Sequence, residues 1–129
     1  MSTSTPYDLI GGEAGVRRLV QRFYALMDEL PEAAAVRAVH PPSLAGSEQK
    51  LFEYFSGWLG GPPLFEAKYG HPRLRARHLP FSIGTRERDE WLLCMRRALD
   101  ETVEHEQLRE LLFEKMAGLA DHMRNREDE

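Results

Sequence analysis

Apolar residues recur along this chain at spacings of three and four, and strand-like alternation is nearly absent. From Glu13 onward, Val16, Leu19, Val20, Phe23, Leu26, Met27 and Leu30 fall on one face of a 3.6-residue helix. A stripe of this kind is stable only when buried against another element, so a chain carrying several folds as packed helices. Three more are legible. One carries Leu44, Leu51, Phe55, Trp58 and Leu59; the next carries Trp91, Leu92, Met95, Ala98, Leu99 and Val103. The last carries Leu108, Leu111, Leu112, Met116, Leu119 and Met123. The expected fold class is all-α, with four long helices in two antiparallel-looking pairs.

Helix-ending residues mark the boundaries. A short helical turn at residues 7–10 closes on Gly11-Gly12, because glycine adopts the left-handed conformation that ends helices. Pro31 suits the first turn of a short helix over residues 32–39, and Pro41-Pro42 ends it. Ser43 is placed to cap the second long helix, Gly60-Gly61-Pro62-Pro63 stops it, and Thr85 is placed to cap the third. Residues 64–84 carry no stripe and read as irregular, apart from one short helix around 74–78 that Pro80 halts. A connection this long in a compact domain is functional or disordered, and its arginines, aromatics and histidines favour function.

With 129 residues, the chain is long enough for one core, and no internal repeat or hinge divides it. One domain is expected over residues 1–129, with 1–6 and 125–129 as flexible tails. Apolar residues make up 42% and charged residues 29%, as in soluble globular proteins. Seventeen Lys and Arg against 21 Asp and Glu give a formal charge of −4, so no broad cationic face offers itself to nucleic acid. Arg73, Arg75 and Arg77 are the local exception. No run approaches the ~18 apolar residues of a membrane span, and Met1–Pro6 lacks the features of a signal peptide. The single cysteine, Cys94, sits among apolar neighbours and reads as a small buried hydrophobe; its solitude suits a reducing, cytoplasmic setting.

Two residues stand out chemically. His78 ends the basic helical segment just before Pro80, and Trp91 lies on the apolar face of the next helix. An imidazole and an indole N–H on two sides of a cavity suit an iron porphyrin and its ligand. A helix-terminal histidine and a core tryptophan fit the same pattern. His40, before Pro41-Pro42, reads by itself as a cation at a helix C-terminus.

Ordered words along the chain resemble the group II truncated globins. They begin with Tyr7-Asp8 and Gly11-Gly12, Arg22-Phe23-Tyr24, and Leu44-Ala45-Gly46-Ser47-Glu48. Gly60-Gly61-Pro62, Gly70-His71-Pro72, Arg77-His78-x-Pro80-Phe81 and Arg88-Asp89-x-Trp91-Leu92-x-Cys94-Met95 follow. The resemblance covers nearly the whole chain. It implies a globin-like two-over-two helical sandwich with a shortened first helix and a loop-rich region before the proximal histidine. It also implies haem b (iron protoporphyrin IX), held non-covalently since no Cys-x-x-Cys-His occurs.

By the same resemblance His78 is the iron ligand, its other ring nitrogen held by a nearby carbonyl. Leu74 lies against the porphyrin, Arg77 and Lys50 pair with its propionates, and Leu51, Phe81 and Trp91 add contacts. Tyr24, His40, Ser47, Leu51 and Trp91 line the distal side. Tyr24, His40 and Trp91 are expected to donate hydrogen bonds to oxygen there, with the small Ser47 leaving a ligand path. His40 stands where phenylalanine or tyrosine is commoner, and it adds a titratable group. Phe65 stands where some members carry tyrosine. His71, His105 and His122 are read as non-ligands, the latter two on exposed helix faces.

The function implied is reversible binding of oxygen and other diatomic gases (carbon monoxide, nitric oxide) at pentacoordinate ferrous haem. Nitric oxide or peroxide detoxification, with an unidentified reductase, accompanies it as an expectation. A haem-based ligand sensor and a cofactor-free helical interaction module are the alternatives. Neither nucleic acid nor membrane is an expected partner.

Overall fold

The computed structural model describes residues 4–126, and no strand occurs among them. Helix α1 (Pro6–Ile10) starts at Thr5, whose hydroxyl accepts from the Asp8 amide at 3.2 Å while the Asp8 carboxylate accepts from the Thr5 amide at 3.3 Å. It ends at Gly11, whose φ of 109° is the left-handed conformation that the glycine pair predicts. Helix α2 (Gly12–Glu29) follows, then a 3-10 turn (Pro31–Ala33) running into α3 (Ala34–Ala38). Beyond Pro41-Pro42 come α4 (Ala45–Trp58), α5 (Leu64–Tyr69) and α6 (Leu74–His78). The chain then forms α7 (Thr85–Thr102) and α8 (Glu106–His122).

Helix α2 packs on α4 and α7, and α7 packs on α8, so the pairs α2/α4 and α7/α8 meet across the α2–α7 contact. This is the two-over-two sandwich. Its centre consists of the stripe residues Leu19, Phe23, Met27, Phe55, Met95, Leu99, Leu112 and Met116, each less than 2% exposed. Each such side chain contributes about 1.5–3 kcal/mol on burial, and all of them belong to the four long helices. The short elements add less: Ile10, Ala33, Val36 and Phe65 are buried, and α6 buries none of its residues. No described helix is long and apolar enough to cross a membrane.

Several local expectations change. Leu44, not Ser43, occupies the position before α4, and Ser43 Oγ reaches only the Ala45 amide at 3.3 Å. Thr85 is the first residue of α7 rather than its cap; its hydroxyl accepts from Arg124 at 2.7 Å, and the Glu87 carboxylate accepts from the Gly84 amide at 2.8 Å. Residues 64–84 hold a second helix, α5, that buries Phe65; six residues are too few to show a stripe. Leu111 is 45% exposed and drops out of the α8 core face. His105 caps α8, its Nδ1 accepting from the Leu108 amide at 3.2 Å, instead of sitting on a helix face. The expected tails shrink, because Thr5, Pro6 and Asn125 all take part in the fold. Residues 1–3 and 127–129 lie outside the described residues.

Candidate functional site

Helix α6 has the sequence Leu-Arg-Ala-Arg-His and buries none of its residues. It starts abruptly from Arg73, the one non-glycine residue with positive φ among the described residues, at φ 44° and ψ 51°. That conformation costs about 1–3 kcal/mol. It is supported by His71, whose Nδ1 accepts from the Arg73 amide at 3.1 Å. At the other end, His78 Nδ1–H donates to the Leu74 carbonyl, one turn back, at 2.6 Å. A carbonyl can only accept, so Nδ1 carries a proton, and in the neutral ring Nε2 keeps its lone pair. The imidazole is thus held in one tautomer and orientation by its own helix.

Helix α4 shows two faces. Phe52, Phe55 and Leu59 are buried in the core, whereas Ser47, Leu51, Tyr54 and Trp58, spaced four, three and four apart, are half-buried along one stripe. A cavity of about 520 Å³ opens beside that stripe, lined by Tyr54, Trp58, Phe65, Leu74 and Leu119 among others. Its size and aromatic walls are those of a small-molecule or cofactor site. Leu74 brings α6 to the cavity. His78 itself, half-buried, is not among the lining residues.

Tyr24, Trp91 and His40 do not line that cavity but come together around Phe23. The Phe23 ring meets Tyr24 edge-on at 4.8 Å and Trp91 at 5.0 Å, and Tyr24 meets His40 at 5.9 Å. Tyr24 is only 6% exposed. Neither its hydroxyl nor the Trp91 indole N–H finds a partner among the described residues. Burial raises the Tyr24 phenol well above its ordinary value, with the Glu48 charge adding, so it stays a neutral donor.

His40 departs from its expected part. Its Nδ1–H donates to the Val36 carbonyl at 2.8 Å, so the open Nε2 of the neutral ring accepts rather than donates. Burial lowers its pKa; the Val36 bond works against this, and the charges of Arg37 and His78 add to the lowering. His40 and His78 are therefore near enough to sense each other electrostatically. Two neutral donors, not three, stand on this side near pH 7.

Arg77 and Lys50 are exposed and gather about the α5 aromatics. The Arg77 guanidinium lies 5.3 Å from the Phe65 ring and donates to the Tyr69 carbonyl at 3.4 Å; Lys50 Nζ lies 5.9 Å from the Tyr69 ring. Phe81 is 45% exposed, its amide donating to the His78 carbonyl at 3.0 Å. Cys94 is buried, and desolvation pushes its thiol up to about 11, which leaves it unreactive. His71 and His122 border the cavity, and His122 is exposed at the end of α8 as expected. No group of three His, Cys, Asp or Glu that could hold a metal converges among the described residues. A metal at His78 must bring further ligands with it, as a porphyrin does.

Three structural residues gave no sequence signal. Glu53, buried within α4, accepts from Lys68 at 3.2 Å and the Tyr69 hydroxyl at 3.1 Å, fastening α5. Glu90 accepts from the Val36 amide at 2.9 Å, fixing the segment that carries His40. Asn125 binds the turn after His78. All three act on partners far off in sequence.

Two helix pairs packed through α2 and α7, with a short helix presenting an oriented imidazole, define the class: a globin reduced to its essential helices. A family model described as bacterial-like globin matches residues 5–125. The group II 2-on-2 haemoglobin of Agrobacterium tumefaciens superposes with a TM-score of 0.95 at 55% identity, covering 99% of this chain and 98% of that one. A cold-adapted truncated haemoglobin from Pseudoalteromonas haloplanktis gives 0.93 at 46% identity, over 95% and 99%. The group 2 truncated haemoglobin YjbI of Bacillus subtilis is 38% identical over 96% of this chain and 91% of its own length. The chain belongs to the bacterial-like globins, among the group II truncated haemoglobins. Membership implies haem binding.

Proposed function

We propose that this chain binds haem b non-covalently beside the α4 stripe and α6, with His78 Nε2 as axial ligand, and that it holds oxygen reversibly. The observation that carries the reading is the 2.6 Å bond from His78 Nδ1–H to Leu74 O, which leaves Nε2 as the ring's only basic nitrogen. The haem, when bound, supplies a ferrous iron able to take up oxygen, carbon monoxide or nitric oxide. Leu74, Leu51, Phe81 and Trp91 shield its faces from water. Arg77 and Lys50, on the α5 side, neutralise its carboxylates. Tyr24 and Trp91 offer hydrogen-bond donors whose polar atoms have no partner among the described residues. Ser47, small and half-buried, leaves a path beside Leu51. Two neutral donors of this kind favour slow release, hence oxygen retention over delivery. Nitric oxide or peroxide consumption with a separate reductase is compatible with such retention. The unpaired, unreactive Cys94 fits a cytoplasmic site.

Haem titration of the purified protein, followed by its absorption spectrum, tests this. His78→Ala should weaken haem retention and abolish the five-coordinate ferrous spectrum, with recovery on adding imidazole. A variant spectrum identical to wild type would refute the axial assignment.

A further inference from the structure

A helix that buries no residue needs some other anchor, and α6 finds it at the far end of the chain. The Asn125 side-chain amide donates to the His78 carbonyl at 3.1 Å and the Phe81 carbonyl at 2.8 Å. Its carbonyl oxygen accepts from the Ile83 amide at 2.9 Å. The backbone amides of Asn125 and Arg126 both donate to the Ile83 carbonyl, at 2.8 and 3.1 Å. From within α6, the Arg75 guanidinium donates to the His122 carbonyl at 3.0 Å and the Arg124 carbonyl at 2.9 Å. Arg88 pairs with Asp121 at 2.6 Å and Arg124 with Thr85 at 2.7 Å, so α7 is tied to the same turn.

These bonds have a chemical logic. The side chain at 125 must present two donors and an acceptor on a short stem. Asparagine does so; aspartate lacks the donors and leucine lacks both. The bonds also converge on the residue that matters most. His78 is gripped at its ring through Leu74 and at its carbonyl through Asn125, so the position and tilt of the imidazole follow from the turn at 121–126.

We propose that Asn125 is a positioning residue for His78, and that the carboxy-terminal turn is a latch setting how firmly α6 presents the axial ligand. The proposal rests on the axial role of His78. Outer partners of a metal-binding histidine govern its orientation and its affinity for the metal. Here the outer partner acts through the backbone.

Asn125→Leu preserves side-chain volume and deletes the three side-chain bonds. In the ferrous holoprotein it should shift or broaden the iron–histidine stretching band and speed haem transfer to apomyoglobin about tenfold, the scale of one net hydrogen bond. Glu110→Ala serves as the control, since it breaks the Arg96–Glu110 pair joining α7 to α8 away from α6. It should lower the melting temperature and leave the band and the transfer rate unchanged. If Asn125→Leu does not fold, Asn125→Ser, which keeps one short donor and acceptor, should depart from wild type in the same direction by a smaller amount. Amide exchange at Ile83 in haem-free protein reads the latch itself and should quicken in both Asn125 variants. A band and a transfer rate equal to wild type, with Ile83 deprotected, would overturn the proposal. A wild-type holoprotein lacking the band would instead overturn the axial role of His78.

Discussion

Tyr24→Phe removes a single oxygen atom and should move stability and ligand retention in opposite directions. The ring stays where it is, held edge-on by Phe23 at 4.8 Å and His40 at 5.9 Å. In the unfolded chain the hydroxyl is hydrated; in the fold it belongs to a residue 6% exposed and has no partner among the described residues. A buried hydroxyl left unsatisfied costs about 1–3 kcal/mol. The Tyr24 hydroxyl is not among the fully enclosed unsatisfied atoms, so the lower end applies. Deleting it should raise the melting temperature of the haem-free protein by about 3–4 °C, taking ~1 kcal/mol and a domain of this size. In the oxygenated holoprotein the same deletion removes a donor to a charged acceptor, worth about 1.5–3 kcal/mol, so oxygen should leave roughly tenfold to a hundredfold faster. Because burial keeps the phenol protonated, the wild-type to variant ratio should stay flat across the neutral range. Differential scanning of the apoprotein and stopped-flow replacement of oxygen by carbon monoxide supply the two numbers. A drop of several degrees would show that the hydroxyl holds the fold together, and unchanged oxygen release would show that it does not face the ligand.

Trp91→Phe keeps an aromatic ring against Phe23 and deletes the indole donor, so oxygen should dissociate on the order of ten to a hundred times faster while carbon monoxide changes less. Equal acceleration of both ligands would mean altered packing or escape. His40 titrates below its ordinary value in the fold, under the influence of burial and of Arg37 and His78. The unfolded ring therefore takes up a proton first: its stabilising contribution is complete above about pH 6.5 and is lost as pH falls through the folded value. His40→Phe should flatten the acid side of a melting-temperature profile run from pH 8 to 5. Parallel profiles would place the ring's protonation outside the folding balance. Oxygen release in wild type should slow only on that acid side, where the protonated Nε2 becomes a donor.

Tyr24, Trp91 and His40 show how far a sequence can be read. Helical stripes announced α2, α4, α7 and α8 because burial against a neighbour is written every three or four residues. The position of His78 before Pro80 marked the end of α6 to the residue. What the chain could not announce was direction. His40 has the right type for a distal donor, yet its donor nitrogen is spent on the Val36 carbonyl four residues back, a choice set by the abrupt end of α3. Helix α5 escaped notice for a different reason: its anchor is Glu53, on another helix, gripping Lys68 and Tyr69. By sequence Asn125 is the start of a frayed tail, since nothing local distinguishes it. Its three side-chain partners lie more than forty residues away.

A physical division of labour underlies these differences. Most residues that hold the domain together are enclosed and apolar, and they occupy the four long helices; those proposed to face the site are half-buried or unpartnered among the described residues. Burial free energy is drawn almost wholly from the first set. The second set is therefore free to carry features that cost stability: an unsatisfied phenol, a lowered histidine, and a left-handed Arg73 at the start of α6. The short elements among those bearing them are held by polar ties as well as by whatever apolar surface they bury. For α3 the tie is Glu90 on the Val36 amide, beside the buried Val36 side chain; for α5 it is Glu53, beside the buried Phe65; for α6, which buries nothing, it is Arg75 and Asn125. Each tie is polar, long-range and made to backbone or to a flexible head group, so each fixes position while contributing little area. Polar ties of this sort break singly, without collapse of the core. Substitution at any one of them should accordingly change how the site is presented well before it changes whether the chain folds.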